Sequence, residues 1–345
     1  MIILRFKFGY FLLCMLLSLL WFTACGVFDS SDDQEVALRP IFPTVGEYFS
    51  AVWGPDDRLA VIYMQLREDG KTHKLETHGL YTIDLDGTDL HQVVLNRQIG
   101  AQITGPVWSP NGQWIAFSAG GEIFKVRPDG MALIRLTYGG EAKFEPSWSP
   151  DGQWIAFRII YGPDEGRGLW KVSADGKTIK QLRRPPIEEM CLDCDSLDRW
   201  TVRGGPSWSK NANEIAYIAF ENRIGDRHLA VYDTTRARVE FLYKSPVTLS
   251  RARFSPDGGR ILFFMYSSWG SYDLSIGVIN RDGSGFRRLK EHAVEPSWSP
   301  CGNRIVYRLF SYRDGLFGQP GYGDLWIMNA DGSNNRQITF STGVK

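Results

Sequence analysis

The chain has 345 residues, with 39 Lys and Arg against 39 Asp and Glu, and so carries no formal net charge. It has no basic stripe suited to a phosphate backbone, which excludes nucleic acid as the expected partner. A chain this long is large for one ordinary core but suits a radial array of small sheets.

Residues 1–24 read as an export signal: Arg5 and Lys7, then an uncharged run from Phe8 to Ala24, then Cys25. The tetrapeptide FTAC ending at Cys25 resembles a lipobox, where bacterial lipoprotein signals are cut ahead of a diacylated cysteine, with Phe22 in place of the usual leucine. Cys25 is therefore the expected lipidation site, and two or three acyl chains would anchor the chain where one would not. An uncleaved signal anchor is the alternative, since an apolar run of roughly 17 residues can just span when its flanks help. Either route places the remainder in the cell envelope outside the cytoplasm, periplasmic or at the cell surface. Residues 25–45, beginning GVFDSSDDQEVALRP after the cysteine, are expected to be a polar tether. Removing residues 1–24 takes away two basic residues and no acidic ones, leaving a formal charge of about minus two.

From residue 46 onward one phrase recurs six times: VWGPDDRLAVIY at Trp53, VWSPNGQWIAF at Trp108, SWSPDGQWIAF at Trp148, SWSKNANEIAY at Trp208, RFSPDGGRILF at Phe254 and SWSPCGNRIVY at Trp298. A second hairpin follows most of them, as in LYTIDLDGTDLHQVV, IFKVRPDGMALIRLT and LWIMNADGSNNRQIT. In SPDG the proline presets φ, aspartate accepts backbone hydrogen bonds, and glycine takes the left-handed position that closes the hairpin. The flanks alternate or run apolar with β-branched and aromatic residues, and no long stretch has helical spacing. Each unit thus spells four antiparallel strands. Sheets of that size gain stability by burying large side chains between neighbours arranged around an axis, so the recurrent tryptophan is expected in interblade core.

The expected fold is all-β, a six-bladed β-propeller over residues 46–345, with blades at about 46–98, 103–139, 143–184, 203–246, 249–291 and 293–342. The grammar W-S-P-D-G, I-A-F, D-L-W-I-M-N-A-D-G and Q-I-T resembles the TolB-type, WD-like propeller repeat across almost all of this region. The resemblance implies a lipoprotein form that lacks the α/β domain TolB carries ahead of its propeller. Either residues 34–46 donate a strand to close the ring, or the six units close by contact.

This topology puts the tight turns on one face and the variable segments on the other, where binding groups are normally carried. The variable segments contain Tyr161, Tyr266, Trp269, Tyr272, Phe310, Tyr312, Phe317 and Tyr322, aromatics suited to a peptide or glycan surface. The longest of them contains CLDC, in which Cys191 and Cys194 suit a local disulfide more than a redox centre or half a zinc site. Cys301 replaces the aspartate of its own SPDG and reads as a harmless turn substitution.

Three residues before each blade aromatic stand Ser50, Gly105, Glu145, Gly205, Arg251 and Glu295, at the expected mouth of the central channel. Lys143 and Arg203 are close in sequence to the same rim, so a charged mouth follows, and these five charged residues are the candidate ligand-binding set. The expected partner is an envelope protein, peptide or glycan, with the membrane engaged through the lipid anchor; neither a cofactor nor a metal is expected. A hydrolase or lyase using Glu145 and Glu295 in the channel is the alternative, and a purely structural scaffold is a third. AFSAG at Ser118 precedes a strand where a nucleophile elbow needs a helix. His73 and His78 lie in HKLETHGLYTI, read as a loop running into a strand, with an odd separation that suits no metal pair.

Overall fold

The structure, a computed structural model, describes residues 45–68, 73–160, 166–183, 200–221, 226–267, 273–310 and 323–339. Cys25, Cys191, Cys194, Tyr161, Trp269, Tyr272, Tyr312, Phe317 and Tyr322 lie outside the described residues.

Each repeat folds as expected into its own four-stranded antiparallel sheet, with strands hydrogen-bonded in chain order, and there are six such sheets. The inner strands are Val45–Trp53, Ile103–Trp108, Lys143–Trp148, Trp200–Trp208, Thr248–Phe254 and Ala293–Trp298. Strand alternation distributes each blade's side chains between its two neighbours. In blade three, Ile155 and Phe157 pack with Trp148 against Ala116 and Ile123 of blade two, while Ala156 turns the other way onto Trp208 and Ile215 of blade four. All six blade aromatics are buried at such interfaces. At two of them an arginine of one blade covers the aromatic of the next: Arg260 over Trp298 and Arg304 over Trp53, each 4.9 Å from the ring centroid.

The first hairpin turn is held by its own side chains. In blade three Ser149 Oγ donates to Asp151 Oδ1 at 2.5 Å and accepts from the Trp154 amide at 2.9 Å, while Asp151 Oδ1 also accepts from the Gln153 amide at 3.0 Å. Gly152 closes the turn at φ 67°, a left-handed conformation that other residues reach only at a cost. Arg260 donates from Nη2 to Gly302 O at 3.4 Å, so the first turns of blades five and six touch along one face.

Among the described residues, closure is by side-chain contact. Residues 45–53 are the inner strand of blade one, and every described sheet is made of four consecutive strands. The seam between blades six and one is a shared core in which Tyr48, Trp53, Leu59 and Val61 pack with Val306, Leu325, Ile327 and Ile338. Across it the Trp53 amide donates to Ser297 Oγ at 3.3 Å, and Arg304 approaches Asp57 at 3.8 Å.

One local expectation is corrected. HKLETHGLYTI is strand from its first residue, because the preceding strand runs on to Glu68 and pairs it with His73. The connection after blade one contains a helical turn, Asn96–Ile99, ended by Gly100 at φ 77°. Cys301 stands in a turn of the expected kind, in which the Gly302 amide donates to the Ser299 carbonyl at 2.9 Å and Cys301 Sγ lies 2.7 Å from Asn303 Oδ1. Among the described residues no helix is long and apolar enough to cross a membrane.

Candidate functional site

All six inner strands break register near the same place. In blade three Phe144 pairs with Arg158 and Ser147 pairs with Ala156, so Glu145 and Pro146 together oppose Phe157 alone. Equivalent irregularities fall at Ser50–Ala51, Gly105–Pro106, Gly205–Pro206, Arg251–Ala252 and Glu295–Pro296. These are β-bulges, and four contain a proline, which has no amide to lose where the ladder is already interrupted. The bulge puts Ser50, Gly105, Glu145, Arg251 and Glu295 at φ between 49° and 58°. Four of these five are not glycine, and each bears a left-handed backbone penalty of about 1 kcal/mol or more.

The strained side chains meet one another. Arg251 donates from Nη1 to Ser50 Oγ at 2.7 Å and pairs through Nη2 with Glu295 Oε1 at 3.0 Å. The Ser50 amide donates to Glu295 Oε2 at 2.6 Å, which links blades five, six and one. Glu145 is paired with Arg158 Nε from its own second strand. Gly205 makes room for it: a Cβ there would stand 2.4 Å from Glu145 Cβ, so only glycine fits. Arg308 occupies in blade six the position of Arg158 in blade three, with Nε 4.0 Å from Glu295 Oε2. Two aromatics that precede a bulge carry an arginine: Arg308 of blade six lies 5.0 Å from the ring centroid of Phe49 in blade one, and Arg158 lies 5.7 Å from that of Phe144 in its own blade.

Burial opposes ionisation of Glu145, but Arg158, Arg251 and Arg253 outweigh it and hold the carboxyl below its ordinary value. For Glu295 burial is likewise overcome by Arg251, Arg308 and the Ser50 amide. Arg253, one residue before the blade-five aromatic, is pushed down to about 10, first by burial and then by Arg251, with Glu145 opposing. Its Nη1 donates only to the Pro206 and Ala252 carbonyls, each at 3.2 Å. Arg251 of blade five helps to lower both carboxylates, Glu145 of blade three and Glu295 of blade six.

Of the five charged residues expected at the mouth, Glu145, Arg251 and Glu295 are thus brought into one electrostatic cluster. Lys143 is engaged elsewhere. Its side chain is buried in a second cluster, with Nζ 3.3 Å from Glu122 Oε2 and donating to Glu141 O at 2.7 Å. Arg203 stands in the inner strand of blade four, with its side chain outside the described residues. Arg158, Arg253 and Arg308 are functional candidates that the sequence reading passed over. The signal for two of them was present, because the only repeats that read EPSW, with Glu145 and Glu295, also carry arginine ten residues after the tryptophan. The prolines in mid-strand likewise marked the bulges.

On the turn-bearing face, a cleft of about 530 Å³ lies between blades one and two, lined by residues including Arg58, Asp89, Trp114 and Arg127. Its charged walls are already paired: Arg58 with Asp84 at 3.1 Å and Asp89 at 3.0 Å, and Arg127 with Asp129 at 3.6 Å. Among the described residues no group of three or more His, Cys, Asp and Glu side chains stands ready to hold a metal ion.

No protein-family model matches the chain. Several solved structures share its fold. A protein assigned as TolB from Agrobacterium tumefaciens matches with a TM-score of 0.59 at 17% identity, over 74% of this chain and 86% of that one. TolB from Acinetobacter baumannii matches with a TM-score of 0.55 at 17% identity, over 84% and 77%. An oligogalacturonate lyase in complex with manganese matches with a TM-score of 0.51 at 14% identity, over 86% and 74%. At these identities the likeness is one of fold, a six-bladed β-propeller.

Proposed function

We propose that this chain is a binding or scaffold protein of the bacterial cell envelope, anchored through a lipid on Cys25, that holds a protein, peptide or glycan partner at the loop-rich face and channel mouth of its propeller. The observation that carries this reading is the set of non-glycine residues kept in a left-handed conformation around the axis. Strained backbone persists only where its surroundings enforce it, and such positions cluster at ligand sites. Here every one of the four bears a polar or charged group. Capture from a cell-envelope extract tests the reading: Glu145→Ala combined with Arg251→Ala is expected to lose the partner while retaining the fold, and unchanged capture removes the mouth from the site. Cys25→Ser is expected to release the protein into the soluble fraction, whereas continued membrane attachment favours an uncleaved signal anchor.

A lyase or hydrolase in the channel is the second reading, favoured by the fold shared with the oligogalacturonate lyase. The electrostatics work against it. A general acid at neutral pH needs a raised pKa, and Glu145 and Glu295 are both lowered, with their oxygens occupied by donors. Turnover in a panel of glycoside and peptide substrates, abolished by Glu295→Ala, would establish the enzyme instead.

A further inference from the structure

Charge in the axial cluster does not balance. Three guanidiniums, Arg158, Arg251 and Arg253, face two carboxylates, Glu145 and Glu295. Within that set one positive charge is in excess. The side chains of Arg158, Glu145, Arg251 and Glu295 are only 11–19% exposed, so solvent compensates them poorly.

The excess is concentrated around Glu145. That carboxylate lies within the influence of Arg158, Arg251 and Arg253, and Arg251 is already committed to Glu295 and Ser50. Arg158 Nη1 is buried with no acceptor. A buried donor without a partner costs about 1–3 kcal/mol, more when charged. Arg253 meets only neutral carbonyl oxygens at Nη1 and repels Arg251.

We propose that the propeller axis carries a site for one carboxylate-type oxyanion, held by Arg158 and Arg253 beside Glu145. The anion accepts from Arg158 Nη1, neutralises the repulsion between Arg253 and Arg251, and enters from the loop-rich face. This deepens the binding reading above, on which it rests, by naming the chemistry the mouth takes: a negatively charged group, either free in solution or carried on an acidic peptide.

Measurements on the full chain test it. In thermal melts at constant ionic strength, acetate is expected to raise the wild-type midpoint in a saturable way. Arg253→Met and Arg158→Gln are each expected to weaken that response at least tenfold in half-saturating concentration. Arg253→Met is also expected to melt no lower than wild type without acetate, since it removes a cation the apo cluster does not neutralise. An equal, non-saturating response in wild type and both variants overturns the proposal. Should either variant fail to fold, bromide soaked into wild-type crystals decides: anomalous density within hydrogen-bonding distance of Arg158 and Arg253 supports the site, and an empty axis overturns it.

The source of the anion is read from calorimetry with acetate, with a glutamate-rich peptide and with the same peptide carrying glutamine. Peptide binding that needs glutamate and is lost in Arg253→Met assigns the site to a peptide-borne carboxylate. Binding of acetate alone assigns it to a free anion. An acetate response that persists while envelope capture is indifferent to the Glu145 and Arg251 double substitution keeps the anion site and removes only the partner reading.

Discussion

Glu145 and Glu295 occupy backbone that glycine would occupy at lower cost, and they remain there because their carboxylates have four arginines to meet. Residue type and backbone are therefore separable by mutation. Glu145→Gly and Glu145→Ala remove the same ion pair, but alanine keeps the left-handed strain and glycine relieves it. The glycine variant is expected to be more stable than the alanine variant by about 1 kcal/mol in urea unfolding. The same comparison at Lys143, which lacks a positive φ, is expected to favour alanine by a similar margin. Gly205→Ala has a different expected effect: its Cβ would collide with Glu145, costing about 1–3 kcal/mol as an overpacked contact and separating Glu145 from Arg158. These positions also mark the limit of sequence reading at this scale. The spacing three residues before the aromatic was enough to gather Ser50, Glu145, Arg251 and Glu295. It did not foretell that their charges would be spent largely on one another, since the partner arginines sit on a second strand and become neighbours only through register.

A blade is a poor fold by itself and a good one between neighbours. Strand alternation gives it one side with large residues and one with small, as with Phe157 and Ala156, and each side is completed by the next sheet. Trp298 is expected to be among the costliest side chains to truncate. Trp298→Ala empties an interblade core and removes the ring beneath Arg260, and about 3–5 kcal/mol is expected from chemical unfolding. Trp298→Phe, which keeps an aromatic face, is expected to recover more than half of that loss. Turns and strands were the most legible part of the sequence, because Pro, Asp and Gly act locally and the period of two is written in consecutive residues. Bulges were harder to see, for they depend on a partner strand one hairpin away. The extension of the second hairpin of blade one to His73 was missed for the same reason: its polar residues pair because the opposing strand continues to Glu68.

At the scale of the whole ring, acid is the natural probe. The two axial carboxylates titrate lower in the folded protein than unfolded, so the stability they contribute is fully present above the unfolded value near 4.5 and is lost as pH falls through the lower folded value. Melting midpoints are expected to hold down to about pH 4.5 and then fall. Glu145→Gln with Glu295→Gln should flatten that decline while lowering the plateau; an unchanged slope would show that carboxylates elsewhere control it. Six blades were legible because six copies are. How the ring closes was not, since contact and strand donation leave the same repeats in the sequence. Closure by side chains has a topological consequence. Ile338 lies in the same core as Tyr48 and Trp53, so the described chain starts and finishes at one seam, and among the described residues no strand is shared across it. Which blade comes first is then a convention of the gene. A circular permutant opened at the exposed pair Gly139 and Gly140, with the old ends joined by a short linker, should assemble the same six sheets and melt as a single cooperative body.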